Sequence, residues 1–187
     1  MFWRIIIQTV VVHTITYFIV GFSAFTLFKY TATLSDSKNN MRPATDLIVR
    51  IGTLFQPIRG VLFGIVFYLL KDIVFQQKDG WLIIWIMLVA IGILSTFAPA
   101  ASSIEGFIYL KSDYGRNWGG LIEILIQSFL LSIITYYWVN HSDSILLTWI
   151  MGILFTIVIL LPSLVLLVSL KKKKLVETGI QNKSDFA

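Results

Sequence analysis

Five long runs of apolar residues alternate with short polar connections along the chain. The runs cover residues 5–28, 47–70, 81–101, 121–139 and 145–170. An α-helix rises 1.5 Å per residue, so about 20 apolar residues cross a hydrocarbon core of about 30 Å. We therefore predict an all-α polytopic membrane protein, a bundle of about five transmembrane helices over residues 1–170. A basic and polar tail follows over residues 171–187.

The second run is the least regular, because arginines, Gln56 and Pro57 interrupt it. Its helix spans either 47–70 or, if it begins near residue 54, 54–75. We favour the later start, since proline is tolerated in the first turn of a helix and disfavoured in its interior. That start also keeps Arg59 near the membrane surface, where a charge costs less than at mid-membrane.

A short additional helix is predicted after the third run. Pro99 ends that run, and Ser102-x-x-Glu105 has the spacing of a capping box. Ile104 and Phe107 follow at helical spacing and form an apolar stripe. This pattern predicts a helix that lies in the membrane interface, with Glu105 as a capping residue rather than a catalytic one.

The composition excludes the soluble classes of protein. Of 187 residues, 57% are hydrophobic and only 13% are charged, whereas a soluble domain has roughly a quarter of its residues charged. A soluble enzyme, a disordered chain and a disulfide-rich secreted module are all incompatible with these values. The chain has no cysteine, which excludes disulfides, thiolate metal sites and a cysteine nucleophile.

The positive charges outside the runs predict the orientation. Ten lysines and arginines fall on the face that holds the carboxyl tail, and three fall on the other face. By the positive-inside rule the carboxyl terminus is cytoplasmic and the amino terminus is external, and we expect a plasma (inner) membrane. Four of the ten, Lys171, Lys172, Lys173 and Lys174, directly follow a span. They predict contact with anionic lipid head groups at the cytoplasmic face and argue against a nucleic-acid partner.

Small residues recur on one face of each predicted span. Glycines on these faces allow close approach of two helices, and hydroxyl groups are expected to hydrogen-bond between helices. The helix-packing glycines predicted in this way are Gly52, Gly60, Gly64, Gly92 and Gly152. Gly60-x-x-x-Gly64 also has the spacing of a dimer interface, so packing within one chain and a homo-oligomer both remain open.

Ionisable groups at membrane depth are costly and are functional candidates. The candidates for a substrate or proton site are Arg59, Glu123, Gln56, Gln127, Arg50 and His13. We expect Glu123 to pair with Arg59 if the second span begins late, and with Arg50 if it begins early. The alternative is that Arg59 snorkels to the interface and Glu123 sits at a helix start, where the helix dipole favours a carboxylate. A lone histidine such as His13 is more often an interhelical hydrogen-bond partner.

No motif in the chain predicts a reaction. It has no HExxH, Walker or Gly-x-Ser-x-Gly motif, and His141-Ser142-Asp143 is too local to form a triad. We predict no catalytic residue, no metal site and no cofactor. The favoured function is a small integral membrane protein that acts by interaction, as a subunit or accessory factor, with a membrane protein partner or a second copy of the chain. The alternative is an oligomeric transporter or channel-like protein that uses Arg59 and Glu123 near the cytoplasmic side. A lipid-directed enzyme is a third choice.

Overall fold

The computed structural model describes residues 1–28, 42–110 and 118–184, with side chains as far as residue 174. All regular structure in these ranges is helical. The α-helices are α1 (Phe2–Leu27), α2 (Leu47–Arg50), α3 (Gln56–Leu69), α4 (Lys71–Val74), α5 (Gly80–Val89), α6 (Ile104–Tyr109), α7 (Trp118–Asn140) and α8 (Ile145–Ser184). A 3-10 turn (Gly52–Phe55) precedes α3, and a π-helical turn (Ala90–Leu94) continues α5.

Four segments are long and apolar enough to cross a membrane. They are Phe2–Leu27, Gly52–Leu69, Trp118–Asn140 and Ile145–Lys174. The third predicted span corresponds to a shorter helical segment, Gly80–Leu94. The helical membrane class is therefore supported, with four qualifying helices rather than five.

α1 lies at the centre of the bundle and packs against α3, α7 and α8. Its partners α3 and α7 both run antiparallel to it. Gly60 and Gly64 of α3 lie against Val10 and Ile6 of α1 in reverse order. The centre of the molecule is therefore the helix nearest the amino terminus.

The Gly60–Gly64 face of α3 is covered by α1 of the same chain. A Cβ atom built on Gly60 would lie 2.7 Å from Val10 Cα, and one built on Gly64 would lie 2.9 Å from Ile6 Cα. Real Cβ atoms do not approach backbone this closely, so only glycine permits this contact. The spacing that also fitted a dimer is used within the chain.

The second span begins with a turn and not with a continuous helix. α2 and the 3-10 turn precede α3, which starts at Gln56 with Pro57 in its first turn. Asp46 caps α2 by accepting from the Ile48 backbone N–H at 2.9 Å. That N–H, and then Arg42, hold the pKa of the Asp46 carboxyl below its usual range. Neither predicted range matches in full, because the helix runs from residue 56 to residue 69.

The third span ends earlier than the predicted residue 101. Its last helical residue is Leu94, the end of the π turn. Beyond it, Thr96 Oγ1 donates to the Ala98 carbonyl at 2.9 Å, and Pro99 has no N–H with which to continue a helix. The run used to predict the third span thus extends seven residues beyond the end of the helix.

The short helix predicted after the third run is present as α6, but its cap is Ser103 and not Ser102. Ser103 Oγ accepts from the Gly106 backbone N–H at 2.9 Å. Ser102 instead has a φ of 69°, in the left-handed region. Ile104, Phe107 and Ile108 are all exposed on α6, as an interfacial helix requires.

The hydroxyl groups of the spans bond mainly within their own helices, contrary to prediction. Thr9 donates to Ile5 O at 2.7 Å and Ser132 donates to Phe129 O at 2.8 Å. The carbonyl one turn earlier is the nearest acceptor, so the hydroxyl donates to it and not to a group on a neighbouring helix.

α8 continues through the predicted tail as far as Ser184. Lys171–Lys174 therefore lie on a helix that projects beyond the apolar span, and all four are exposed.

Candidate functional site

A half-open cavity of about 290 Å³ lies among four helices. α1 contributes His13, α3 contributes Arg59, and α7 contributes Gln127 and Ser128. The π turn that continues α5 contributes Gly92. Apolar side chains, among them Leu62, Phe63, Leu88 and Leu131, form the rest of the wall.

The cavity lies in the half of the bundle where α3 and α7 begin. Arg59 is the fourth residue of α3 and therefore lies about 4.5 Å along it. Gln127 is the tenth residue of α7, about 13.5 Å along. Arg59 is exposed although it lines the cavity, so it lies at the mouth, whereas His13 is 1% exposed and lies at the interior wall.

Gln56 connects His13 to Arg59. Its Oε1 atom lies 3.2 Å from His13 Nε2, and it accepts from Arg59 Nη1 at 3.4 Å. Its Nε2 atom donates to the Gly52 carbonyl at 3.2 Å. The interhelical hydrogen bond expected of His13 is thus present, and it joins α1 to the first turn of α3.

The Phe63 ring contacts both the His13 ring and the Arg59 guanidinium. The His13 ring meets the Phe63 ring edge to face at a centroid distance of 5.0 Å. The Arg59 guanidinium lies 5.9 Å from the same ring centroid. These contacts restrict the orientation of both side chains at the cavity wall.

Glu123 lies beside this group, one turn before Gln127 on α7. A Cβ atom built on Gly21 would lie 3.6 Å from Glu123 Oε1, so the carboxylate rests against α1. Tyr17 lies within electrostatic range of both Arg59 and Glu123. The expected ion pair is absent, however, because neither Arg59 nor Arg50 forms one with any carboxylate in the described ranges.

The remaining predicted residues are not all at the site. Arg50 is exposed at the end of α2, outside the cavity wall. Gly52 would place a Cβ atom 3.9 Å from the Tyr17 hydroxyl, an ordinary contact. Cβ atoms built on Gly92 and Gly152 would meet nothing within 4 Å, so neither glycine serves close packing in this chain. Gly92 instead leaves space in the cavity.

Sequence reasoning missed a second buried polar group between α1 and α7. Gln8 Nε2 donates to Trp138 O at 3.4 Å. Gln8 Oε1, Thr135 Oγ1 and Trp138 Nε1 are buried without a hydrogen-bond partner in the described part of the chain. Gln8 and Thr135 were visible in the sequence, but their burial depends on the α1–α7 contact, which no local pattern shows.

The chemistry available at the cavity is recognition by hydrogen bonds and one positive charge. Within the described ranges, no three histidine or acidic side chains cluster closely enough to hold a metal ion. Arginine, amide, imidazole and hydroxyl groups on three helices, α1, α3 and α7, are suited to hold a small polar molecule. The chain matches no family model, no curated protein and no solved structure.

Proposed function

We propose that the protein is a transporter or channel-like membrane protein that binds a small polar solute in the cavity between α1, α3, α5 and α7. The observation that supports this proposal is the cavity itself, which is lined by His13, Arg59 and Gln127 from three apolar helices. A histidine buried between the helices, such as His13, is costly unless it serves a ligand or a neighbouring polar group. The π turn at the cavity wall is a second supporting feature, because such turns are frequent at functional sites.

The proposed topology has five spans, with Gly80–Leu94 as the third. Its ten α-helical residues and five π-helical residues extend about 22 Å, less than the usual hydrocarbon thickness. A short span leaves the cytoplasmic end of the cavity near the head groups. In this arrangement the amino terminus is external, Lys171–Lys174 contact anionic lipids, and the membrane is the plasma (inner) membrane.

Water access to the cavity tests the function. The chain has no cysteine, so single cysteines can be introduced without removing others. We expect Gly92→Cys and Ser128→Cys to react with a small membrane-impermeant thiosulfonate applied from the cytoplasmic side of membrane vesicles. Gly152→Cys is the matched control, because Gly152 is also without close neighbours but lies on the exposed face of α8. If all three cysteines stay unlabelled, the cavity is closed to water and the proposal is wrong.

A second candidate function is an accessory subunit, which is supported by α8. Only 11% of the residues in the apolar stretch of α8 are buried, against 56% in that of α1. Most of the apolar surface of α8 is therefore free for lipid or for a partner. Native mass spectrometry of a mild-detergent extract distinguishes the two. A stoichiometric co-purifying membrane protein favours the subunit role, and a homo-oligomer alone favours transport.

A further inference from the structure

The Arg59 guanidinium is held level with the middle of α1. Gln56 Oε1 accepts from Arg59 Nη1 at 3.4 Å and lies 3.2 Å from His13 Nε2. His13 is the twelfth of the 26 residues of α1, so it lies about 16.5 Å from the first residue of that helix and about 21 Å from the last. Because α1 is long and apolar enough to cross a membrane, the guanidinium lies beside its apolar interior.

The positive charge of Arg59 has no counter-ion in the described part of the chain. Arg59 forms no ion pair there, and its hydrogen bond to Gln56 uses one of the five N–H groups of a guanidinium. A charge beside apolar segments is costly unless an opposite charge meets it. Arginine binds carboxylates with paired hydrogen bonds, so a ligand with a carboxylate group reduces this cost.

Gln127 provides a second unused donor on a different helix. Its amide lines the cavity from α7 and makes no hydrogen bond within the described ranges. Ser128 beside it already donates to the Leu125 carbonyl at 3.0 Å, so its hydroxyl proton is engaged. The described residues of the wall include one positive charge and no acidic side chain. They therefore fit a ligand with a single negative charge.

The rest of the wall suits a ligand with an apolar body. Six apolar side chains line the cavity around the two donors, namely Leu62, Phe63, Leu88, Ile93, Ile124 and Leu131. Burial of apolar surface against them favours binding, and a bare inorganic anion has no such surface. The volume of about 290 Å³ equals that of about ten water molecules in the liquid. An occupant of about ten non-hydrogen atoms is far smaller than a phospholipid.

We infer that the cavity binds a small monocarboxylate with an apolar body, with the carboxylate on Arg59 and Gln127 and the apolar part against the surrounding aliphatic side chains. This inference rests on the proposed function and adds the substrate class. The charge of the ligand follows from the unpaired guanidinium, and its apolar character and its size follow from the cavity.

Hexanoate, hexanamide and acetate test the inference on the full-length chain in nanodiscs of phosphatidylcholine, a lipid without net charge. Hexanamide has the same chain without the charge, and acetate has the same charge without the chain. We expect each of these two to bind at least about tenfold more weakly than hexanoate by calorimetry. Hexanamide loses the charge-assisted hydrogen bonds, and acetate loses the apolar contact. Empty nanodiscs measure partition of each probe into the lipid, which is subtracted.

Variants assign the preference to Arg59. Arg59→Gln is expected to bind hexanoate no more tightly than hexanamide, while Arg59→Lys keeps part of the preference, because lysine retains the charge without the paired geometry. Arg50→Gln is the matched control, since Arg50 is exposed and outside the cavity wall, and its binding of hexanoate should not change. Gly92→Leu fills the cavity and is expected to abolish binding. Gly152→Leu also adds a side chain where no atom lies within 4 Å, and it leaves binding unchanged.

Equal binding of hexanoate and hexanamide, or binding of no probe, overturns the inference. A charge preference that survives in a folded Arg59→Gln protein also overturns it. The same holds if no carboxylate binds and native mass spectrometry finds an anionic phospholipid that Arg59→Gln releases, because the ligand is then a lipid. Failure of the proposed function is reported separately by cysteine labelling. A cavity that is labelled but does not prefer hexanoate contradicts the substrate class alone.

Discussion

At the scale of single residues, the glycines of the spans have two opposite roles. Gly60 and Gly64 bring α3 against the backbone of α1, while Gly92 and Gly152 have open space where a side chain would be. The sequence showed that all four lie on small-residue faces. It did not show which faces meet a neighbour, because spacing along a helix determines a face but not what covers it.

Gly60→Ala is expected to destabilise the protein. The added Cβ atom would lie 2.7 Å from Val10 Cα, and relieving such overpacking typically costs about 1–3 kcal/mol. Thermal unfolding in detergent measures the effect. Gly152→Ala adds the same methyl group on α8 with nothing within 4 Å, so its unfolding temperature should not fall. Equal unfolding temperatures for the two variants would show that α1 and α3 are not in contact at Gly60.

The polar residues of the site were predicted individually better than their relations were. His13, Gln56, Arg59 and Gln127 are close together, as expected if they form one site. The predicted pairing of Arg59 with Glu123 was wrong, because Arg59 contacts Gln56 instead. Helix depth alone suggested Glu123, but the direction of each side chain depends on the rotation of α7, which the sequence does not specify.

At the scale of elements, the segment between α5 and α6 shows where sequence patterns fail. Residues 95–101 include Phe97 and three alanines, and their apolar character extended the predicted third span to residue 101. The helix stops at Leu94 because a π turn and the Thr96–Ala98 hydrogen bond redirect the chain. Hydropathy measures which solvent a segment prefers and contains no information about these local bonds.

Ser103→Ala is expected to loosen the first turn of α6. Ser103 Oγ accepts from Gly106 N, and it also donates to the Ala100 carbonyl at 2.8 Å. Loss of such a cap typically costs about 1 kcal/mol, and we expect faster amide exchange at Gly106 and Phe107. Ser102→Gly is the control, because glycine tolerates the positive φ at that position. Its exchange should stay the same or slow, and faster exchange in Ser102→Gly would place the cap at Ser102 after all.

At the scale of the whole molecule, the proposed cytoplasmic position of the cavity depends on the orientation of the chain in the membrane. We expect a carboxyl-terminal reporter to be active only in the cytoplasm, because ten of the thirteen positive charges outside the spans lie on that face. Replacing Lys171–Lys174 with glutamine should produce a mixed population. A reporter active outside the cell in the unaltered chain would contradict the topology. Lys29, Lys38, Lys111 and Arg116, which contribute to the bias, lie outside the described residues.

The central position of α1 also has a consequence for biosynthesis. This helix is translated before α3, α7 and α8, yet its buried residues include Gln8, Thr9 and His13, which those later helices cover. After insertion, α1 therefore exposes polar groups to lipid until translation has passed residue 140, the last residue of α7. A nascent chain halted before α7 presents an incompletely covered α1 to membrane chaperones and proteases. The covering of α1 by its neighbours is thus complete only after the carboxyl-terminal half has been made.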